Sequence, residues 1–130
     1  MNYRITTSEY TKDRLLTMKD ATNITPNILS RYGIAISLKN PDPIDLSIIE
    51  NNSKGFEFNR NVITSKYDQL YKALISQKEN RYLNDEEYFE KYLLAHIERG
   101  VAELYSEYQM AGNTEKFIRR LVDYGHGRDL

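Results

Sequence analysis

Residues 22–29, Thr22-Asn23-Ile24-Thr25-Pro26-Asn27-Ile28-Leu29, decide how the first part of this chain folds. Asparagine ranks after glycine for the left-handed residue that closes a helix, so one helix is expected to stop near Thr22-Asn23. Thr25 then stands at a capping position, and Pro26 at the first helical position, where its missing N–H costs nothing. A second helix therefore begins at Pro26. Ile28, Leu29, Tyr32, Ala35 and Ile36 give it an apolar side as far as Leu38. Gly33 inside this helix costs about 1 kcal/mol against alanine, a cost that a close helix crossing would explain.

The elements on either side follow from this turn. Upstream, Thr7 or Ser8 offers a capping oxygen and Glu9 suits the first turn of a helix running to about Ala21. Leu15 and Met18 point inward with Leu16 beside them, and Lys12, Arg14 and Lys19 flank the apolar edge. Before that helix, Tyr3-Arg4-Ile5-Thr6-Thr7 alternates and is rich in β-formers. Such a strand is too short to stand alone and needs a partner, another copy of the chain being one source.

Downstream, Lys39-Asn40-Pro41-Asp42-Pro43 is a stop, and a poorly patterned stretch reaches about Arg60. Within it, Gly55-Phe56-Glu57-Phe58-Asn59-Arg60 alternates like a short extended segment. A third helix is expected from about Thr64, with Tyr67, Leu70, Tyr71 and Leu74 as its apolar stripe. Asn84 and Glu87 have capping-box spacing and open a fourth helix, with Phe89, Leu93, Ile97, Val101 and Leu104 inward, to about Gln109. Met110-Ala111-Gly112-Asn113 breaks it. Thr114 to Tyr124 reads as a short last helix with Phe117, Leu121 and Val122 inward. Residues 121–130 grade into a loose tail, of which Gly125 to Leu130 is the clearest part.

The expected architecture is one mainly α domain over residues 1–130, a small helical unit with a short N-terminal β-strand. Strand, helix, capped turn, helix is also the order of ribbon-helix-helix proteins, which dimerise by pairing strands and can read DNA with the ribbon.

Composition narrows the function classes. The chain has 130 residues, 40% hydrophobic and 28% charged, as in an ordinary globular domain. Mean hydropathy is −0.67, and no apolar run approaches the ~18 residues of a membrane span. Met1-Asn2-Tyr3-Arg4-Ile5 lacks the apolar core of a secretory signal. The sequence has no cysteine, which excludes disulfides, thiolate metal sites and cysteine nucleophiles and suits a cytoplasmic address. Net charge is −1, but unevenly spread: residues 1–82 carry 12 basic and 9 acidic side chains, residues 83–130 carry 6 and 10. Binding responds to the local field rather than to the sum, so a neutral total can hide a basic face.

No catalytic constellation emerges. His96 and His126 lack a second ligand at metal-binding spacing, and His96 adjoins the stripe of Leu93 and Ile97 as a helix histidine would. Asp85, Glu86, Glu87 and Glu90 cluster where acidic residues suit a helix start. None of the 6 glycines forms a nucleotide cradle, and most of the 11 tyrosines sit at helical spacing beside apolar residues. A hydrolase built on His96 with Glu98, or on the acidic cluster, is the enzyme reading that remains.

Three blocks carry a family resemblance. The first is Leu16-x-x-Lys19, Thr22-Asn23-Ile24-Thr25-Pro26-Asn27-Ile28-Leu29-x-Arg31 and Ser37-Leu38. The second is Gly55-x-Glu57-Phe58-Asn59-Arg60, followed by Tyr67 and Ala73-Leu74; the third is Ala95-His96-Ile97-x-Arg99-Gly100-Val101. In this order they resemble the DndE family, small DNA sulfur modification proteins of bacterial phosphorothioation systems. The family commonly has glycine where this chain has Asn23, which tolerates the same left-handed geometry. Residues after about Ala111 lie outside the resemblance.

The resemblance implies a non-catalytic, mainly helical protein without cofactor or metal, which associates as a homotetramer and binds double-stranded DNA, preferring nicked duplex. It also implies partners: a cysteine desulfurase, an ATP-sulfurylase-like protein and an SMC-like ATPase. The expected DNA-contacting residues are Lys12, Arg14, Lys19, Arg31, Lys39, Lys54 and Arg60. Arg60 and Arg99 lie inside the family blocks, where an ion pair with Glu57 or Glu98 is the competing role. Leu15, Ile28, Tyr32 and Ile36 are the expected surplus of apolar surface for self-association. An assembly module contacting the sulfur-transfer proteins, with only incidental DNA affinity, is the alternative.

Overall fold

A computed structural model describes residues 3–50, 52 and 54–125. Strand β1 (Arg4–Thr6) leads into α1 (Glu9–Thr22) and α2 (Pro26–Lys39). A 3-10 turn at Leu46–Ile49 precedes β2 (Glu57–Asn59) and the single turn α3 (Arg60–Ile63). Another 3-10 turn, Ser65–Tyr67, opens α4 (Asp68–Glu79). A π-helical run, Glu87–Leu93, passes directly into α5 (Leu94–Ala111), and α6 (Thr114–Gly125) follows.

The local signals operate as physical chemistry requires. The Ser8 side chain caps α1 by accepting from Thr11 N, and α1 ends at Asn23 with φ 62°. Pro26 opens α2, although Thr25 makes no side-chain capping bond. Asn84 and Glu87 form the reciprocal box, Glu87 N donating to Asn84 Oδ1 at 2.8 Å and Asn84 N to Glu87 Oε1 at 3.2 Å. Because Asn23 is left-handed, Asn23→Gly is expected to be neutral or slightly stabilising. Asn23→Val should cost about 1 kcal/mol or more, since a β-branched residue fits that region badly. Urea denaturation of the two variants decides it, and equal midpoints would disprove the account of this turn.

The N-terminal strand finds its partner within the chain. β1 pairs antiparallel with β2, Ile5 opposite Phe58, so no second copy is needed to complete the ribbon. The order strand, helix, helix remains, with its ribbon closed internally. Thr7 N donates to Phe56 O at 2.9 Å, and Phe56 N donates to Thr7 Oγ1 at 2.8 Å.

α5 is the central element. Leu94, Ala95, Ile97, Val101 and Leu104 are buried, and α2 packs along α5 more extensively than any other pair of elements. The two helices meet at Gly33 and Gly100: a Cβ on Gly33 would stand 3.0 Å from Gly100 C and Val101 N, and a Cβ on Gly100 would collide with the Gly33 backbone. Leu15 and Met18 of α1, Leu29, Ile34 and Ile36 of α2, and Phe117 and Leu121 of α6 complete the core.

Several expectations need correction. Of the apolar stripe expected on the third helix, Tyr67, Leu70 and Leu74 are exposed and Tyr71 is half-buried against the core, while Ile75 is the buried residue of α4. Val122, expected inward, is exposed; on the apolar side of α2 Ala35 is exposed, as is Ile28, expected to supply surface for self-association. Leu15 and Ile36, expected to supply surface for self-association, are buried inside the chain. Residues 121–125, expected to be loose, belong to α6, with Leu121 buried against the core. Residues 126–130 and His126 lie outside the described residues.

Candidate nucleic-acid interface

α1 is positioned by its own cap. Glu98 of α5, itself buried, accepts from Ser8 N at 2.9 Å, Ser8 Oγ at 2.6 Å and Thr11 Oγ1 at 2.9 Å. A carboxylate held at a helix N-terminus meets the positive end of the helix dipole. The sequence spacing then fixes what α1 displays. At 3.6 residues per turn, Lys12 and Lys19 share one edge of the helix, next to the buried face of Thr11, Leu15 and Met18. Glu9, Asp13 and Asp20 form the adjoining stripe, and Arg14 lies beyond it at the opposite edge. The helix therefore separates Arg14 from the two lysines.

Lys54 stands outside the helix, near its start. It precedes Gly55, whose α-carbon lies against the carbonyls of Thr7 and Ser8 at the start of α1. Among the described residues, Lys12, Lys19 and Lys54 make no ion pair. Arg14 lies over the Tyr10 ring, 4.1 Å from its centroid, and 5.6 Å from that of Tyr105. It lines a groove between α1 and α5 together with Glu9 and Asp13. Lys39, in the last turn of α2, lines a different groove with Leu74 and Lys78.

The two remaining candidates do structural work. Arg31 donates to the carbonyls of Val62 and Ile63 at the end of α3. Arg60, expected to face DNA or to pair with Glu57 or Glu98, is buried. Its guanidinium donates to Asp85 at 2.7 and 2.8 Å and to Asp68 at 2.8 and 3.2 Å. It also lies 4.6 Å from the centroid of the Phe89 ring. Hydrogen bonds from Arg60 hold the Asp85 carboxyl below its ordinary range. Burial opposes ionisation of Asp68, but bonds from Arg60, Thr64 and Tyr88 outweigh it and lower its pKa. Burial raises the pKa of Tyr88, whose hydroxyl donates to Asp68 Oδ1 at 3.0 Å.

The residues of the enzyme reading go to separate partners. His96 Nδ1 lies 2.8 Å from Ser37 Oγ, which accepts from Arg99 Nε at 2.8 Å, while Glu98 is occupied by α1. Arg99 also donates to Ser37 O and Asp42 O, fastening the loop after α2. In the acidic cluster, Asp85 serves Arg60, and Glu87 pairs with Arg81 at 3.1 Å. Further along α5, Glu103 accepts from Asn40 and Glu107 from Arg120. Much of the negative half of the sequence is thus spent on internal contacts that no local pattern in the sequence announces.

His96 makes acid stability a readout of this packing. Burial, then the charges of Arg99 and Lys78, push its pKa down from 6.5 to about 4. Between those values the unfolded chain binds a proton that the folded chain refuses, so stability is full above the upper value and falls as pH drops. The loss from this group approaches ~3 kcal/mol by pH 4. His96→Gln is expected to show a shallower decline in urea midpoint between pH 7.5 and pH 4 than the unaltered chain. Parallel declines would remove His96 as the cause.

A family model described as DNA sulphur modification protein DndE matches residues 4–112. No curated protein matches the chain. Among solved structures, the chain is similar to the crystal structure of DndE from Escherichia coli B7A, involved in DNA phosphorothioation modification. That likeness has a TM-score of 0.63 at 20% identity and covers 80% of this chain and 98% of that chain. At this identity it is a likeness of fold. α6 begins after the last residue matched by the family model.

Proposed function

The chain belongs to the DndE family of DNA sulphur modification proteins, and on that basis we propose that it is the non-catalytic, DNA-binding component of a bacterial phosphorothioation system. It binds double-stranded DNA, nicked duplex in preference, as a homotetramer in the cytoplasm. It works beside the cysteine desulfurase, the ATP-sulfurylase-like protein and the SMC-like ATPase of such a system, without a cofactor of its own. The observation that carries the reading is the lysine edge of α1: Lys12 and Lys19 on one face, Lys54 near its N-terminal end, none engaged in an ion pair among the described residues. Each phosphate that a lysine neutralises releases counterion, and several copies multiply contacts that are weak singly. Arg14 and Lys39 are secondary candidates because they face different grooves. The stripe of Glu9, Asp13 and Asp20 turns away from phosphate.

Changing Lys12 and Lys19 together to Glu is expected to weaken duplex binding to a similar degree across sequences, since phosphate contacts carry no base information. The slope of log affinity against log salt should fall by about one unit per lost contact in each bound subunit. Both side chains lie outside the core, so melting temperature and oligomeric mass should hold. Gel shifts on nicked and intact duplex at two salt concentrations measure this. Normal binding by the double variant would place the basic face elsewhere.

Ile118 and Val122, both exposed and one turn apart on α6, form an apolar edge suited to self-association. Charges of both signs surround it, including the Arg119–Glu115 and Arg120–Glu107 pairs. Light scattering on the purified chain reports the mass. The assembly-module reading is favoured by a different observation, the exposed apolar side of α4. Absence of salt-sensitive duplex binding by the isolated chain would decide for it.

A further inference from the structure

α4 carries an apolar strip that nothing among the described residues covers. Tyr67, Leu70 and Leu74 are 48%, 54% and 41% exposed, and Val62 of α3 is 49% exposed. Tyr67, Leu70 and Leu74 repeat at helical spacing along one face, where Ala73 is also exposed. The exposed positions between and beside them on α4 are Gln69, Ala73 and Gln77, none of them charged. An apolar strip of this kind on a polar surface marks a contact made with another molecule.

Its rim is positive. Lys66 lies 5.3 Å from the centroid of the Tyr67 ring. Lys78 lines the groove beside Leu74 and donates to Asn40 O at 2.7 Å. Arg31 acts electrostatically on Tyr71 from the α2 side and donates to the Val62 and Ile63 carbonyls. These three cations are held by neutral acceptors or by a ring, so each keeps its charge. The exposed positions of the strip supply no carboxylate to balance them.

We infer that the α4 strip is a docking surface for an amphipathic helix of a protein partner, with leucine-like side chains on one face and carboxylates along its edges. The apolar face supplies the buried centre of the contact, and the carboxylates meet Lys66, Lys78 and Arg31 at the rim. A second copy of this chain fits less well. A two-fold contact would set the positive rim of one strip against that of the other, leaving like charges together. Duplex DNA would value the cations but gain nothing from exposed leucines. The inference rests on α4, the turn that opens it, Val62 and Arg31, and on none of the lysines assigned to DNA.

The probe is a synthetic helix with leucines at i, i+3, i+4 and i+7 and glutamates flanking them; the control has lysines in place of the glutamates. Fluorescence anisotropy with the full chain should show saturable binding of the acidic peptide and at least about tenfold weaker binding of the lysine control. Leu70→Ser with Leu74→Ser should abolish binding, and Lys66→Glu should weaken it, while melting temperature, oligomeric mass and duplex affinity stay unchanged. Equal binding of the two peptides, or binding of neither, overturns the inference. A fall in oligomeric mass on Leu70→Ser with Leu74→Ser would assign the strip to contact between copies. A fall in duplex affinity would assign it to DNA. Either result overturns the inference, and neither touches the role of Lys12 and Lys19.

Discussion

Gly100→Ala is expected to destabilise the fold by at least about 3 kcal/mol, and Gly100→Val to prevent folding altogether. A Cβ at Gly100 would meet the Gly33 backbone rather than a side chain that could turn aside. The helices must separate, and the seam between α2 and α5 carries Leu29, Ile34, Ile97 and Val101. With typical domains stable by only about 5–15 kcal/mol, that is a large share of the total. Gly33→Ala should cost less, because its Cβ would stand 3.0 Å from the nearest atoms, a contact that a few tenths of an ångström relieve. Urea unfolding of the two variants tests the asymmetry. Wild-type stability of Gly100→Ala would mean that the helices do not cross there.

The second large effect is at Arg60. Arg60→Ala should cost about 3–5 kcal/mol, because Asp68 and Asp85 are left facing each other without their cation. Arg60→Lys should recover only part of this, since an ammonium cannot donate to both carboxylates in the same forked geometry. The pH dependence identifies the mechanism. Both aspartates are held below their ordinary value of 3.8, so their contribution is full above that value and fades as pH falls through their lowered folded values. The gap between Arg60→Ala and the unaltered chain should therefore narrow in acid. An unchanged urea midpoint together with weaker DNA binding would return Arg60 to the DNA-facing surface.

What the sequence made legible was local. The cap and turn at Thr22 to Pro26, the Asn84–Glu87 box and the Gly33 crossing each depend on residues a turn or less apart, or on one position whose cost demands a reason. The first of these lies inside a block that carried the resemblance to the DndE family, whose model matches residues 4–112. What stayed hidden was pairing across distance. Arg60 sits 8 residues from Asp68 and 25 from Asp85, and neither spacing is a pattern of any helix or strand. Likewise, alternation at residues 55–60 marked an extended segment, but only the fold sets Phe58 opposite Ile5. The stripe at Tyr67, Leu70 and Leu74 was legible as an apolar side, but periodicity identifies which side of a helix is apolar, not whether the same chain covers it.

The cap of α1 has a consequence for synthesis. Ser8 is made early, yet the carboxylate that anchors it belongs to Glu98, 90 residues later. At about 5–20 residues per second, that is roughly 5 to 20 seconds of translation. Throughout that interval α2 also lacks the helix against which Gly33 and Leu29 pack. The N-terminal half therefore leaves the ribosome with its apolar side uncovered and its lysine edge unanchored, and the nascent chain acquires its native shape only when α5 emerges.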